Sequence, residues 1–333
     1  MKKIKWGVIS TAKIAKEHII PGIKKSNNSI LYAIASRNLS KADKYKKKFH
    51  FKKSYDSYKK LYKDEEVQAI YNPLPNHLHL ESTIQACNNK KHVLLEKPIT
   101  LKSKEVDLLI KISRKNKVII KEAFMIRYHP QWQWVKKFVD QGKIGKIKSI
   151  STIFSYNNTD PKNIRNIKKF GGGAIYDIGC YPVLLSRYLL NKEPKRVVAS
   201  SVFDKKFKTD ILSSAILDFN GVYSNFLCST QANRSQQVLV LGSKKTLVIE
   251  NPFNAISNKS TTIVIYDGNS IYRKENIIKI FKPSDQYCNQ INNFSNEILT
   301  KDHVDFGLGD SKKNMMVLDA IFKSIVKNKW ILI

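Results

Sequence analysis

Between residues 3 and 122 short apolar runs alternate with amphipathic stretches, a rhythm that few folds accommodate. The runs IKWGVI (4–9), ILYAIAS (30–36), QAIYNP (68–73), HVLLEK (92–97) and VIIKEA (118–123) are brief and rich in β-branched or aromatic residues. The segments between them carry helical spacing, as in Leu80, Ile84 and Cys87. Such alternation predicts βαβ units and a parallel sheet, with ligands at the carboxyl ends of the strands. After about residue 124 the rhythm changes. A helix-like piece, HPQWQWVKKFVDQG, leads into KIKSISTIFSY, KRVVASSVF, ILSSAILDF, VYSNFLCSTQ, QVLVLGS and TLVIENP, with turn signals such as Asn220-Gly221 and Asp267-Gly268 between several of them. One helix is expected over 174–190 and two more at about 285–300 and 311–327, so the second half reads as a domain built on a large, mostly antiparallel sheet.

The first apolar run breaks into Ser-Thr-Ala, where a dinucleotide fold would place a glycine-rich phosphate loop. Ser10, Ala12 and Ala15 stand where the three glycines would be. All three are small; the Ala12 methyl sets a diphosphate slightly farther out, held by helix N-terminal amides and the Ser10 and Thr11 hydroxyls. The second strand ends in Ser36-Arg37-Asn38, with Lys41 a turn later, rather than in the acid that would bind a ribose 2′-hydroxyl. A carboxylate repels a 2′-phosphate and a guanidinium binds it, so the expected preference is for NADP(H), with NAD(H) left open.

Two further stretches carry chemistry. LLEKPIT places Glu96, Lys97 and Pro98 at the end of the fourth run, and GGGAIYDIGCYPV places Asp177 and Tyr181 at i, i+4 on one helical face after three glycines. A carboxylate, a phenol and a lysine suffice for a metal-free alcohol dehydrogenation, in which the hydroxyl proton must leave as hydride moves. Lys97, Asp177 and Tyr181 are therefore the expected catalytic residues, with Tyr181 as base.

The formal charge is +32, but the lysines are spread over the whole chain, as a solvated surface would have them. The densest stretch, Lys41 to Lys63, falls beside the expected adenosine end and could draw in phosphates. Cys87, Cys180, Cys228 and Cys288 lie far apart, which indicates neither zinc nor a disulfide framework, and no metal is expected. No run approaches the length of a membrane span, and lysines interrupt any signal-like segment, so a cytoplasmic protein is expected.

STAKIA, NPLPNHLH, HVLLEKPIT, EAFMIRYHPQ and GGGAIYDIGCYPV, in this order and spacing, resemble the Gfo/Idh/MocA oxidoreductases, over most of 1–190 and more loosely beyond, including YCNQINNF at 287–294. STAKI and GCYP are closest to the branch of NADP-dependent D-xylose dehydrogenases and dimeric dihydrodiol dehydrogenases. The resemblance implies an α/β chain: an N-terminal Rossmann doubly wound parallel sheet (1–123) and a C-terminal α+β domain (124–333) with an open-faced sheet that forms homodimers or homotetramers. It places cofactor contacts on Ser10, Thr11, Ala12, Lys13, Ile14, Ser36, Arg37, Lys41, Leu74, Pro75, Asn76, His79, Glu96, Lys97 and Tyr287. Arg127, Asn163 and Arg165 face a small-molecule substrate by the same resemblance. The implied activity is hydride transfer between NAD(P) and a sugar or polyol-like alcohol or carbonyl, with no nucleic-acid or membrane partner. The alternatives are a cofactor-binding regulator of the same fold without catalysis and, from charge alone, a nucleic-acid binder.

Overall fold

The structure is a computed structural model and describes residues 2–268, 276–302 and 306–333. The chain divides into two compact units, residues 1–125 with 285–312, and residues 126–284 with 313–333.

In the first unit the apolar runs form β1 (Ile4–Ile9), β2 (Ser29–Ala35), β4 (Ala69–Asn72), β5 (His92–Leu95) and β6 (Ile120–Glu122). A further strand, β3 (Lys53–Tyr55), lies inside the lysine-rich stretch. The sheet order is β3-β2-β1-β4-β5-β6, every pair parallel. The strand order reverses between β1 and β4, which opens the ligand crevice of a doubly wound sheet at their carboxyl ends. Trp6, Val8, Ile34, Tyr71 and Leu94 are buried in the sheet's core. Ile291 and Phe294, from the returning helix Gln286–Thr300, join them. The Trp6 indole N–H donates to Ser295 Oγ at 3.0 Å, and Lys121 forms a buried ion pair with Glu297. These contacts fasten the helix Gln286–Thr300 to the first sheet, a return that the linear division at 123/124 does not express.

The second unit is built on β7 (Ile147–Asn157), β8 (Arg196–Phe203), β9 (Asp210–Asp218), β10 (Tyr223–Ser229), β11 (Gln231–Gly242), β12 (Thr246–Ile249), β13 (Thr261–Tyr266), β14 (Ile277–Phe281) and β15 (Ile331–Leu332). Their order is β14-β13-β12-β11-β7-β10-β9-β8-β15, antiparallel except for β10 beside β7. One face of the central strands is buried through Ile150, Ala215, Leu217, Phe226 and Val240. The alternate positions, with Ile153, Leu212, Ile216, Tyr223 and Leu241, are exposed. Asn220 and Gly221 both have positive φ (61° and 93°), as the tight turn from β9 to β10 requires.

Among the described residues two π-helical turns interrupt the helices, Ala15–Ile19 and Ile175–Gly179. Each precedes a proline, Pro21 and Pro182, that lies within the continuing helix. Proline has no N–H to give and its ring crowds the preceding turn, so the widened turn takes up the misfit; Ile20 N–H reaches back to Ala15 O.

Candidate active site

In the first unit the expected cofactor residues lie on the loops and helix starts that follow β1, β2, β4 and β5, except Tyr287, which is on the returning helix. Ser10 leaves β1 with φ 76°, the left-handed conformation that usually falls to glycine, while its N–H donates to Ala35 O at 2.8 Å. The chain turns into a helix directly after Thr11: Lys16 N–H donates to Ala12 O at 3.1 Å, and Thr11 O accepts the Tyr45 hydroxyl. Ala12 and Ile14 are half-buried, and Lys13 is exposed beside Glu17. At the end of β2, Ser36 is buried and its hydroxyl accepts Asn38 N–H, while Arg37 is exposed. Asn38 caps the helix Leu39–Phe49 by accepting Lys41 N–H at 3.0 Å. Burial raises the Tyr58 phenol above its ordinary value, and the Arg37 charge and the side chains of Ser10 and Arg37 pull it back. A guanidinium, a hydroxyl and a capped helix N-terminus form a donor set that fits a phosphate monoester, and no carboxylate stands at the end of β2 to oppose it.

Beyond β4, Leu74 N–H donates to Asn72 Oδ1, and Pro75 O accepts Leu78 N–H where the short turn Asn76–Leu78 begins. His79 is fully buried, with Nε2 2.7 Å from Leu74 O and Nδ1 2.9 Å from Pro98 O. Burial pushes its pKa down to about 4 against the pull of these carbonyls. His79 thus ties the loop after β4 to the Glu96-Lys97-Pro98 loop, whose Lys97–Pro98 peptide is cis. Glu96 accepts the Tyr71 hydroxyl at 2.5 Å through Oε1 and Lys97 N–H through Oε2. Tyr287, on the returning helix, stacks on His18 with ring centroids 4.5 Å apart. Burial raises the Tyr287 phenol, with the Glu96 and Asp285 charges acting in the same direction, so it stays protonated.

In the second unit the glycine-rich stretch delivers Asp177 on the π turn Ile175–Gly179 and Tyr181 in the first turn of the helix Cys180–Leu190. Asp177 Oδ2 accepts both Arg165 Nε at 2.7 Å and the Tyr156 hydroxyl at 2.6 Å. Burial and then the Asp177 charge push the Tyr156 phenol far up, so Tyr156 is a donor and not a base. Asn163 caps the turn that holds Arg165, accepting Arg165 N–H at 3.1 Å. The Tyr181 ring is 4 % exposed and packs against Phe154 and Phe253, with centroids 5.7 and 5.3 Å away. Arg127 is buried; burial raises the nearby Tyr188 phenol, and the Arg127 charge offsets only part of that rise.

The profile of the oxidoreductase family with an NAD-binding Rossmann fold matches residues 4–124, and that of the GFO/IDH/MocA C-terminal domain matches 132–248. The chain belongs to the Gfo/Idh/MocA oxidoreductase family. An uncharacterized oxidoreductase of Rhizobium meliloti is 37% identical over 331 residues, covering 99% of both chains. A D-xylose 1-dehydrogenase (NADP(+)) of Haloferax volcanii is 27% identical over 96% of each chain. Among solved structures, a 3-ketoreductase from Actinomadura kijaniata in complex with NADP and TDP-benzene is similar with a TM-score of 0.91 and 26% identity, over 97% of this chain and 98% of that one.

Within this Gfo/Idh/MocA chain the structure bonds Asp177 to Arg165 and joins Leu74, His79 and Pro98, whereas Asn163 is engaged in its own turn. Tyr71, Tyr156 and Asp210 are not anticipated by sequence. Tyr71 and Tyr156 meet Glu96 and Asp177 only through tertiary packing, 25 and 21 positions away. Asp210 was the most readable, as an acid opening a strand that otherwise alternates toward a core.

Proposed function

We propose that this oxidoreductase prefers NADP(H) and moves hydride between nicotinamide and a sugar or polyol-like alcohol or its carbonyl. The observation that carries the cofactor preference is the end of β2, where Arg37 and the Asn38-capped helix N-terminus occupy the place of a ribose-binding acid. The names of the Haloferax and Actinomadura relatives support the same cofactor and a sugar-like substrate.

Bound nicotinamide supplies the hydride acceptor or donor. Tyr181 takes or returns the hydroxyl proton. A free phenol titrates near 10, and acting near neutrality asks for about 3 units, or roughly 4 kcal/mol. A lysine cation within reach supplies about 1–3 of those units, and we assign that task to Lys97. Packing against Phe154 and Phe253 buries Tyr181, which by itself raises a phenol, so the lysine charge has to outweigh that burial; the exclusion of water from the ring strengthens the charge interaction that does so. Asp177 orients the substrate hydroxyl; its charge is balanced by Arg165, and the Tyr156 hydroxyl holds its rotamer. The protein works in the cytoplasm as a homodimer or homotetramer through the exposed, apolar-studded face of the large sheet. No described helix is long and apolar enough to cross a membrane.

Titration with NADPH and NADH, followed by quenching of tryptophan fluorescence, tests the cofactor assignment. NADPH should bind about 10- to 100-fold more tightly, and Arg37→Asp should abolish that ratio. Equal affinities in the wild type would refute it. In turnover with aldoses and diols, Tyr181→Phe should lose most of kcat while keeping its NADPH affinity, and a normal rate would remove Tyr181 as the base.

A further inference from the structure

Asp210 opens β9 and is 3 % exposed, a costly place for a carboxylate unless donors surround it. Its Oδ2 accepts Ile175 N–H at 2.7 Å and the Ser213 hydroxyl at 3.3 Å, and Ala174 N–H also bonds to the carboxylate. Amides at the start of a helical segment have no partner within it, so a side chain from a neighbouring strand closes the start of the π turn. The other oxygen explains the third glycine. A Cβ on Gly173, which has φ +118°, would stand 2.0 Å from Asp210 Oδ1. Gly173 N–H donates to Arg165 O at 2.9 Å, and a Cβ on Gly172 would lie 2.4 Å from that same oxygen. Strand β9, the glycines and the Arg165 loop therefore meet at one joint. From it run the turn that carries Asp177 and the loop that carries Arg165, and their side chains bond at 2.7 Å.

We propose that Asp210 is a positioning residue: its carboxylate, touching no substrate, sets the place of Asp177 and, one turn on, of Tyr181. The catalytic part of this inference rests on the reading of Asp177 and Tyr181 as reacting groups. Misplacement of such groups by about 1 Å costs on the order of 100-fold in rate.

Asp210→Asn keeps an oxygen acceptor of the same reach, and Asp210→Ala removes it. Full-length wild type and both variants are compared by hydrogen–deuterium exchange over residues 173–181, by NADPH affinity, and by kcat and KM. In D210A, exchange over 173–181 should accelerate at least tenfold and kcat should fall about 10- to 100-fold, with NADPH affinity within twofold of wild type. In D210N both should return to within about threefold. Unchanged exchange in D210A, or D210N as impaired as D210A, overturns the inference. If D210A does not fold, Asp210→Ser, whose hydroxyl is too short to reach Ile175 N–H, takes its place, and equal exchange in D210S and D210N overturns it. A wild type that turns over no aldose or diol would instead refute the proposed function, and the exchange data would still decide whether Asp210 holds the turn.

Discussion

Replacing Ser10 by glycine should leave the protein more stable than replacing it by alanine, the reverse of the order these residues show in regular helices and strands. Ser10 sits at φ 76°, where a Cβ crowds the backbone at a cost of about 1–2 kcal/mol. Glycine avoids that cost but loses about 0.5–1 kcal/mol more backbone freedom on folding. The difference leaves glycine ahead of alanine by about 0.5–1 kcal/mol. Both variants lose the hydroxyl and its interaction with Tyr58, so that contribution cancels between them. Urea unfolding measures the difference, and Trp6, fully buried in β1, reports on the unit that holds the loop. Ser10→Ala equal to or more stable than Ser10→Gly would show that the loop is not left-handed at residue 10, and the account of a phosphate loop that keeps its backbone path without glycine would fall with it.

Lys121→Met should destabilise the protein by about 3–5 kcal/mol, because it strands the buried Glu297 carboxylate, and adding Glu297→Gln should recover much of the loss. A loss under about 1 kcal/mol in urea unfolding would mean that the pair does not anchor the returning helix. His129 is buried, accepts Gln131 N–H through Nδ1, and has its pKa pushed down to about 4 by burial. A histidine held neutral stabilises the fold above its unfolded value of about 6.5, and that contribution is lost as pH falls towards 4, by up to about 3 kcal/mol. Asp210, raised to about 6 by burial, acts in the opposite direction, its contribution being lost as pH rises through that value. The comparison of His129→Asn with wild type therefore isolates the histidine: the variant keeps an acceptor for the cap, and its stability relative to wild type should rise by up to about 3 kcal/mol as pH falls from about 6.5 to about 4. Parallel profiles would refute the neutral assignment.

How much of this was legible in the sequence depends on how locally each feature is encoded. The strands of both sheets that carry apolar runs announce themselves by composition, so the doubly wound sheet and most of the antiparallel one can be written down from the sequence. β3 cannot, because three residues within a lysine-rich stretch give no apolar run. An edge strand next to only one neighbour has little need of one, and charge there discourages pairing with other chains. The helix at 286–300 is legible as a helix, but its amphipathic pattern does not say which core its apolar face joins. The packing of Ile291 and Phe294 into the core that holds Trp6, with the Trp6–Ser295 and Lys121–Glu297 contacts, reveals that the chain returns to its first unit.

The same distinction runs through the site. EKP and GGG-x-x-x-D-x-x-x-Y are contiguous and can be read in one pass, whereas the groups that hold them are recruited from distant segments. Tyr71 bonds Glu96 from β4, Tyr156 bonds Asp177 from β7, and Asp210 closes the turn from β9. Reacting groups must carry specific chemistry, so few residue types can stand in for them and their pattern stays readable. A supporting group needs only to present a donor or acceptor at the right point, which many residue types at many positions can do. The glycines are the exception that links the two levels: Gly172 and Gly173 look like flexibility in the sequence, but each leaves room for one identifiable atom, the Arg165 carbonyl oxygen or an Asp210 carboxylate oxygen. A run of glycines beside a candidate catalytic acid is therefore best read as a docking surface for a second segment, and the residue to look for is a polar one whose only visible oddity is that it opens a buried strand.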